Sequence, residues 1–242
     1  MERDEWLSQM RAKAEALYDH LSPHYWVTFG FYPNEMHLEY LKKFLERVPP
    51  SSRLLSAACG AGRYDGILLE AGHTVVGIDQ SAGMLKRAKE HFPAIQYEKM
   101  GLQEIHFHEG FDGIICIDAL EHICPEDYPH ILRGFQEALS PGGMLYFTVD
   151  REEPAELQKH YERAKELGLP VVFGEVADEV ETAYDRVTKQ TAISGEQSDV
   201  AVYHYYPPLE QVRAWIEQLG FKLEEEGTGN GYEHFLVRKR RS

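Results

Sequence analysis

The sequence predicts an α/β fold, a doubly wound and mostly parallel sheet of seven strands with helices on both faces. Two observations carry this prediction. Between residues 50 and 150, short apolar runs alternate with segments that have the spacing of amphipathic helices, which is typical of βαβ units. Near the carboxyl end, a glycine-rich segment joins two further strand-like runs, which predicts an antiparallel hairpin.

Two amphipathic helices are expected before the sheet. Residues 4–20 and 34–48 carry spaced apolar side chains among charged ones, as helices that bury one face do. Pro49 and Pro50 end the second helix, because proline lacks an N–H group and disfavours helical geometry in the residue before it. We interpret residues 1–49 as a helical lid.

The core of the sheet is expected over residues 50–150. Apolar runs predict five parallel strands, at 53–58, 74–79, 95–100, 110–118 and 143–150. Helical spacing predicts three helices between them, at 62–71, 81–92 and 128–139. Ser81 is the expected N-cap of the second. Right-handed crossovers then place helices on both faces of the sheet.

The regular alternation stops after the fifth strand. A charged helix over 153–167 precedes strand-like stretches rich in Val, Thr and Tyr, so we interpret 151–206 as an inserted cap on a single domain. Residues 207–242 are expected to complete that domain with a helix and a hairpin. Its predicted elements are a helix at 208–219, strands at 221–226 and 233–239, and a turn at 227–231.

Charge and composition narrow the classes of partner. The 242 residues include 25 Lys and Arg against 40 Asp and Glu, which gives a formal net charge of −15. Hydrophobic residues make up 43% of the chain, enough for a packed core, which argues against a disordered chain. The negative charge disfavours nucleic acid and anionic membranes, because clustered Lys and Arg bind both. A small molecule or another protein remains as the partner.

The sequence also predicts a cytoplasmic protein without a membrane span. Residues 1–6 lack the apolar region of a secretory signal, and no stretch approaches the ~20 apolar residues of a membrane helix. The sparse, odd set of Cys59, Cys116 and Cys124 suits a reducing compartment. It contains no CxxC pair, so no structural zinc site is expected. We also predict no metal requirement.

A small-residue loop and an acid form the strongest signal. The loop Ala57-Ala58-Cys59-Gly60-Ala61-Gly62 follows the first strand and opens a helix, so backbone can approach a ligand closely there. Asp79 ends the second strand, where a carboxylate can accept hydrogen bonds from both hydroxyls of a ribose. Together they predict a ligand that contains a nucleoside.

A nicotinamide dinucleotide is one alternative for this ligand. Its fingerprint, GxGxxG, requires glycine three residues after Gly62, and Asp65 stands there instead. A carboxylate close to a pyrophosphate is an unfavourable contact between like charges. Asp65 and the terminal hairpin therefore disfavour a nicotinamide-dependent oxidoreductase.

Four motifs resemble those of the class I S-adenosylmethionine-dependent methyltransferases. They are the loop Ser56-Ala57-Ala58-Cys59-Gly60-Ala61-Gly62, the acid Asp79 followed by Ser81-Ala82-Gly83-Met84-Leu85, the segment 112–122, and Leu139-Ser140-Pro141-Gly142-Gly143. The closing antiparallel pair is this family's own variation on the Rossmann sheet. The resemblance implies a Rossmann-like fold and covers about residues 50–150 and 207–239.

The resemblance implies which residues bind S-adenosylmethionine and its product S-adenosylhomocysteine. The glycine loop holds the methionine part, Asp79 the ribose, and the residues after the second and third strands the adenine. Two positions depart from the family: Ser56 replaces its acid and Ala58 its first glycine, so we expect weaker binding of the cofactor. The implied cofactor-binding residues are Ala58, Gly60, Gly62, Asp79, Gln80, Met84, Met100, Gly101, Leu102 and Ile117.

The acceptor side is predicted from position and residue type. His122 follows the fourth strand and is the expected catalytic base, since imidazole titrates near neutrality, although a structural role stays open. Aromatic residues of the helical lid and of the cap are expected to enclose a small acceptor, with Glu175 available to a cationic one. The substrate-binding candidates are Tyr18, Tyr25, Glu175, His204 and Tyr206.

The sequence thus predicts methyl transfer to a small-molecule acceptor by in-line displacement. Two alternatives stay open at this point. One is a nicotinamide-dependent oxidoreductase on the same sheet, and the other is a protein that binds S-adenosylmethionine without catalysing a transfer.

Overall fold

Residues 1–30, 34–177 and 203–241 are described by the computed structural model. Within them, seven strands form one sheet. The first five are β1 (Arg53–Ala57), β2 (Thr74–Asp79), β3 (Gln96–Lys99), β4 (Phe111–Cys116) and β5 (Leu139–Asp150). A short pair, β6 (Glu175–Ala177) and β7 (Tyr203–Tyr205), forms a second sheet, and β8 (Phe221–Gly229) and β9 (Tyr232–Lys239) complete the first.

The large sheet has the order β3-β2-β1-β4-β5-β9-β8. Neighbours among β1 to β5 pair in parallel, whereas β9 is antiparallel to both β5 and β8. This arrangement confirms the predicted doubly wound sheet with an antiparallel pair at one edge. The carboxyl ends of β1, β2 and β4 meet at one edge of the sheet, where open parallel sheets bind ligands.

Seven α-helices surround the sheet in the described part of the chain. They are α1 (Arg3–Tyr25), α2 (Glu35–Leu45), α3 (Asp65–Glu70), α4 (Ala82–His91), α5 (Tyr128–Ala138), α6 (Pro154–Glu166) and α7 (Leu209–Gln218). The hydroxyl oxygen of Ser81 accepts a hydrogen bond from Met84 N, as expected of the N-cap of α4. No described helix is both long and apolar enough to cross a bilayer.

The two faces of the sheet are buried against different helices. Along β4, Ile114 packs in the cluster that contains α1, α5 and α7, and its neighbour Ile115 packs in the cluster that contains α2 and α3. Successive side chains of a strand point to opposite faces, so both residues can be buried. The continuous apolar runs of the sequence follow from this double burial.

Among the boundaries that differ from the sequence prediction, two have a local reason. β5 begins at Leu139, before Pro141 and the left-handed Gly142, because Leu139 still pairs with Phe111 across a register shift. The hairpin turn is shorter than predicted. Asn230 and Gly231 alone have positive φ angles there, so β8 extends to Gly229.

The helical lid and the cap contact the sheet at its ligand-binding edge. The carboxylate of Asp19 on α1 accepts hydrogen bonds from the Ser81 hydroxyl and from Gly83 N, which ties α1 to the first turn of α4. In the cap, β6 and β7 pair antiparallel, and β7 packs on the 3-10 helix Leu120–His122 that follows β4. Residues 178–202 of the predicted cap lie outside the described residues.

Candidate active site

The loop after β1 forms the floor of a cleft at the carboxyl ends of the strands. Ala58 and Gly60 both have left-handed backbone, with φ angles of 50° and 54°. A Cβ atom at Gly60 would lie 3.6 Å from the Met84 side chain, so this position borders the space between the loop and α4. Glycine adopts such a φ angle without a steric penalty, and alanine at position 58 does not.

Asp79 faces this loop from the end of β2. Its two carboxylate oxygens accept hydrogen bonds from Gly60 N at 2.9 Å and Ser81 N at 2.8 Å. Burial raises the pKa of Asp79 to about 6, although both hydrogen bonds lower it. Each oxygen keeps a second lone pair, so the carboxylate can still accept hydrogen bonds from a ligand.

Eight of the ten predicted cofactor-binding residues line this one cleft. Its empty space is about 700 Å³, including some open solvent. Six further lining residues were not predicted as site residues, namely Arg11, Ala14, Gln103, Asp118, Ala119 and Ile123. The eight predicted residues are Ala58, Gly60, Asp79, Gln80, Met84, Met100, Gly101 and Leu102.

The other two predicted cofactor residues lie apart from the cleft. Ile117 lines a neighbouring space of about 360 Å³, which we call the side cavity. This cavity shares Tyr25, Ala58, Gly60 and Asp118 with the cleft, so the two spaces adjoin. Gly62 lines neither of them. A Cβ atom there would lie 3.0 Å from the Phe92 ring, so packing inside the protein requires this glycine.

The side chain of Asp65 does not lie where the sequence predicted, beside the phosphates of a dinucleotide. Asp65 is fully buried, accepts a hydrogen bond from the Tyr97 hydroxyl at 2.9 Å and lines neither the cleft nor the side cavity. Burial raises its pKa to about 6. The carboxylate therefore does not border the ligand space, and repulsion of a pyrophosphate by Asp65 is not the reason to disfavour that ligand.

His122 and Tyr18 meet at one end of the cleft. His122 Nδ1 lies 3.0 Å from the carbonyl oxygen of Tyr203, which requires a proton on Nδ1. Nε2 then accepts a hydrogen bond from the Tyr18 hydroxyl at 2.6 Å. Burial lowers the pKa of His122, so the ring is neutral at pH 7. Both residues line the cleft, and together they provide a path for a proton.

The remaining substrate-binding candidates divide into two groups. Tyr25 lines both the cleft and the side cavity, and burial raises its pKa to about 12. His204 lies with its ring centroid 5.0 Å from that of His122, and Tyr206 lies 6.0 Å from His204. Neither His204 nor Tyr206 lines the cleft among the described residues.

Glu175 lies outside the cleft, contrary to the expectation that it meets a cationic acceptor. Its carboxylate forms a bidentate ion pair with Arg3 at 2.9 Å. It also accepts hydrogen bonds from the Tyr203 hydroxyl at 2.6 Å and from Val172 N at 2.7 Å. Four hydrogen bonds to the chain occupy a side chain with 0% exposure. Glu175 therefore joins the cap to the start of α1.

Sequence reasoning missed Asp118, which borders both ligand spaces. Its φ angle is 59°, and its N–H donates to the Thr148 hydroxyl at 2.8 Å. Its carboxylate accepts hydrogen bonds from Arg63 and from the Tyr232 hydroxyl. Burial raises the pKa of Asp118, but the charge of Arg63 and these hydrogen bonds outweigh it and hold the pKa below its usual value. The sequence did contain a signal for this residue, because it is an acid at the end of the fourth predicted strand.

Comparisons with known proteins give the same family as the motifs. Residues 54–143 match the family described as methyltransferase domain. Over 109 residues, 45% of this chain, the chain is 33% identical to uncharacterized methyltransferase sll0829 of Synechocystis sp.. Over 188 residues, 75% of this chain, it is 26% identical to uncharacterized methyltransferase OB1106 of Oceanobacillus iheyensis. These matches cover 51% of the first relative and 83% of the second.

A solved structure shares the fold over almost the whole chain. The 1,6-didemethyltoxoflavin-N1-methyltransferase of Burkholderia thailandensis, crystallised with 1,6-didemethyltoxoflavin and S-adenosylhomocysteine, superposes with a TM-score of 0.63. The superposition covers 99% of this chain and 91% of that protein at 15% identity. At this identity, the likeness concerns the fold alone.

Proposed function

Because the chain belongs to the class I S-adenosylmethionine-dependent methyltransferases, we propose that it transfers a methyl group from S-adenosylmethionine to a small-molecule acceptor. The observation that carries this proposal is the cleft that the loop after β1 and Asp79 line together. Backbone at Gly60 and the carboxylate of Asp79, which are joined by a hydrogen bond of 2.9 Å, border the cleft side by side. An acid placed in this way suits the two hydroxyls of a ribose.

The residues present fit such a cofactor. Gly60 leaves room beside Met84, and Asp79 lines the cleft with one lone pair on each oxygen still available. Met100 and Leu102 offer apolar surface beside Gly101, as a flat adenine ring requires. When bound, the cofactor supplies the methyl group on a sulfonium, so the protein needs to hold and orient the acceptor and to exclude water.

His122 and Tyr18 would remove the proton of an acceptor hydroxyl or amine. Since His122 Nε2 already accepts a hydrogen bond from the Tyr18 hydroxyl, Tyr18 is the group that faces the acceptor. The acceptor proton would pass to the Tyr18 oxygen as the Tyr18 proton passes to His122 Nε2, which would free a lone pair of the acceptor for the methyl group that a bound cofactor would supply. The carbonyl of Tyr203 holds the imidazole in the tautomer that this transfer requires.

A small acceptor suits the enclosure of the cleft. Tyr18 and Tyr25 come from α1, which covers the edge of the sheet, and both half-buried residues line the cleft. The neighbour from Burkholderia thailandensis was crystallised with a small heterocycle, which supports an acceptor of that size here. The net charge of −15 disfavours a nucleic acid as the acceptor.

Calorimetric titration with S-adenosylhomocysteine and with NAD tests this proposal. We expect one S-adenosylhomocysteine per chain and no binding of NAD. Asp79→Asn should weaken binding of S-adenosylhomocysteine at least ~10-fold, the scale of hydrogen bonds to a charged group. Asp4→Asn, the same substitution at an exposed position of α1, is the control and should bind as the wild type does. Preferential binding of NAD would refute the proposal.

Transfer itself is measured with cofactor that carries a labelled methyl group and a panel of hydroxylated and amine acceptors. Incorporation of label into any acceptor, lost in Tyr18→Phe and His122→Ala, is the expected result. Incorporation that both variants retain would show that neither residue handles the acceptor proton.

A further inference from the structure

Three carboxyl side chains converge beside the cleft, outside the set of residues assigned to the cofactor. They belong to Asp118 and Glu121, which follow β4, and to Asp150, the last residue of β5. One oxygen from each lies within 4.8 Å of the oxygens of the other two. Neighbouring parallel strands end at the same edge of the sheet, which explains why residues distant in sequence meet here.

The backbone holds this cluster in place. The left-handed conformation of Asp118 turns the chain back over the end of β5, and its N–H is fixed to the hydroxyl of Thr148 on that strand. Glu121 lies in the short helix Leu120–His122, which packs on β5. Asp150 pairs with Tyr232 of β9 in the antiparallel ladder. The sheet therefore fixes the backbone position of all three acidic residues.

Little positive charge lies beside the cluster in the described part of the chain. Arg63 contacts Asp118 at 2.6 Å, and neither Glu121 nor Asp150 forms an ion pair with a described Lys or Arg side chain. Glu121 is 4% exposed, and its Oε2 atom has no hydrogen-bond partner among the described residues. A buried polar oxygen without a partner costs free energy, which a bound cation would recover.

We propose that Asp118, Glu121 and Asp150 bind a hard divalent cation of the Mg²⁺ and Ca²⁺ class. Carboxylates are the ligands that these cations prefer. Ligand oxygens on opposite sides of Mg²⁺ lie about 4.2 Å apart, and those around Ca²⁺ about 4.6–5.2 Å apart. Oxygens that all lie within 4.8 Å of one another are close enough to coordinate one ion of either kind. Without Cys or His among the three ligands, the site disfavours Zn²⁺.

The site borders the place where the acceptor would lie. Asp118 lines the cleft, and Glu121 Oε1 is 3.8 Å from the Nε2 atom of His122. Three carboxylates leave coordination positions for oxygen atoms of water or of a substrate. The role of the cation rests on the function proposed above. If the protein is a methyltransferase, its acceptor carries a hydroxyl or carboxylate oxygen that the cation can orient. The sequence alone predicted no metal site.

Binding of Mn²⁺, a paramagnetic substitute for Mg²⁺, tests the site without any methyl transfer. We expect the electron paramagnetic resonance signal of free Mn²⁺ to fall on titration with the protein, with one ion per chain. Mg²⁺ or Ca²⁺ should displace it. Glu121→Gln and Asp150→Asn should each weaken Mn²⁺ binding at least tenfold, because each removes a charged ligand and keeps the shape of the side chain.

Glu137→Gln, at an exposed position of α5, is the matched control and should bind Mn²⁺ as the wild type does. Thermal unfolding and titration with S-adenosylhomocysteine are repeated on each variant, which separates loss of the cation site from loss of the fold or of the cofactor site. Wild-type protein that binds no Mn²⁺ at millimolar concentration overturns the proposal. Equal binding by Glu121→Gln, Asp150→Asn and the wild type overturns it too.

Discussion

Acidification through pH 6 is expected to weaken the binding of S-adenosylhomocysteine because Asp79 titrates there. Burial raises the pKa of this carboxyl to about 6 in the free protein, against 3.8 for an exposed aspartate, and the hydrogen bonds from Ser81 and Gly60 offset only part of the rise. The ionised form accepts hydrogen bonds from both ribose hydroxyls. The protonated form has lost the charge that strengthens these bonds, so it binds the ribose more weakly.

The size of the effect follows from the pKa. With a pKa of about 6, about 99% of Asp79 is ionised at pH 8 and about 9% at pH 5. If the ionised form alone binds the ribose, affinity falls about 11-fold over this range, or about 1.4 kcal/mol.

The contribution of Asp79 to the stability of the folded state changes with pH in the opposite direction. The raised pKa of Asp79 favours the folded state below pH 3.8, and this contribution is lost as the pH rises through 6.

Calorimetric titration of S-adenosylhomocysteine at intervals from pH 8 to pH 5 measures this dependence. Asp79→Asn should bind weakly and with little change over the same range. Asp65→Asn is the informative control, because Asp65 has the same raised pKa of about 6 but lies outside the cleft, so the decline should persist in that variant. Constant affinity of the wild type, or the same decline in Asp79→Asn, would refute the assignment of the ribose to Asp79.

Three further variants test other parts of the structure. Glu175→Gln should lower the free energy of unfolding by about 3 kcal/mol, because it breaks a buried ion pair with Arg3, and should leave the KM for the acceptor unchanged. Ala58→Gly should stabilise the protein by about 1 kcal/mol, since it relieves a left-handed alanine. His122→Ala should lower kcat by about 10²–10⁴-fold and change the affinity for S-adenosylhomocysteine far less. Since burial lowers the pKa of His122, the acidic limb of the wild-type pH–rate profile should lie below pH 6.5.

Each of these expectations has its own measurement and its own contrary result. Urea unfolding measures the change in stability of Glu175→Gln and of Ala58→Gly. An increased KM for the acceptor in Glu175→Gln would show that Glu175 contacts the substrate. Equal or lower stability of Ala58→Gly would show that its φ angle of 50° carries no strain. Wild-type turnover in His122→Ala would show that this histidine is not the base and that its role is the structural hydrogen bond to the Tyr203 carbonyl.

The fold and the position of the cleft were accessible from the sequence because local patterns determine them. Strands β1, β2 and β4 lie within the apolar runs that predict them, and Ser81 caps α4 as its residue type predicts. Asp79 follows from the same logic, since a residue that ends one parallel strand must face the loop that follows its neighbour. These inferences require no knowledge of how distant segments pack.

The errors concern contacts between distant segments. Glu175 pairs with Arg3, 172 residues away, and a short apolar run next to an acid does not reveal such a partner. Asp65 turns inward to Tyr97 for the same kind of reason. The hydrogen bond between Tyr18 and His122 joins α1 to the segment after β4, 104 residues away, and the sequence did not reveal it. Tertiary packing decides these contacts, and local pattern does not encode it.

A crystal structure of the protein with S-adenosylhomocysteine tests the central claim most directly. We predict that both ribose hydroxyls lie within hydrogen-bond distance of the Asp79 carboxylate, with the adenine beside residues 100–102 and the sulfur directed to Tyr18. A ribose held by a different acid, or a ligand bound outside the cleft, would contradict the account.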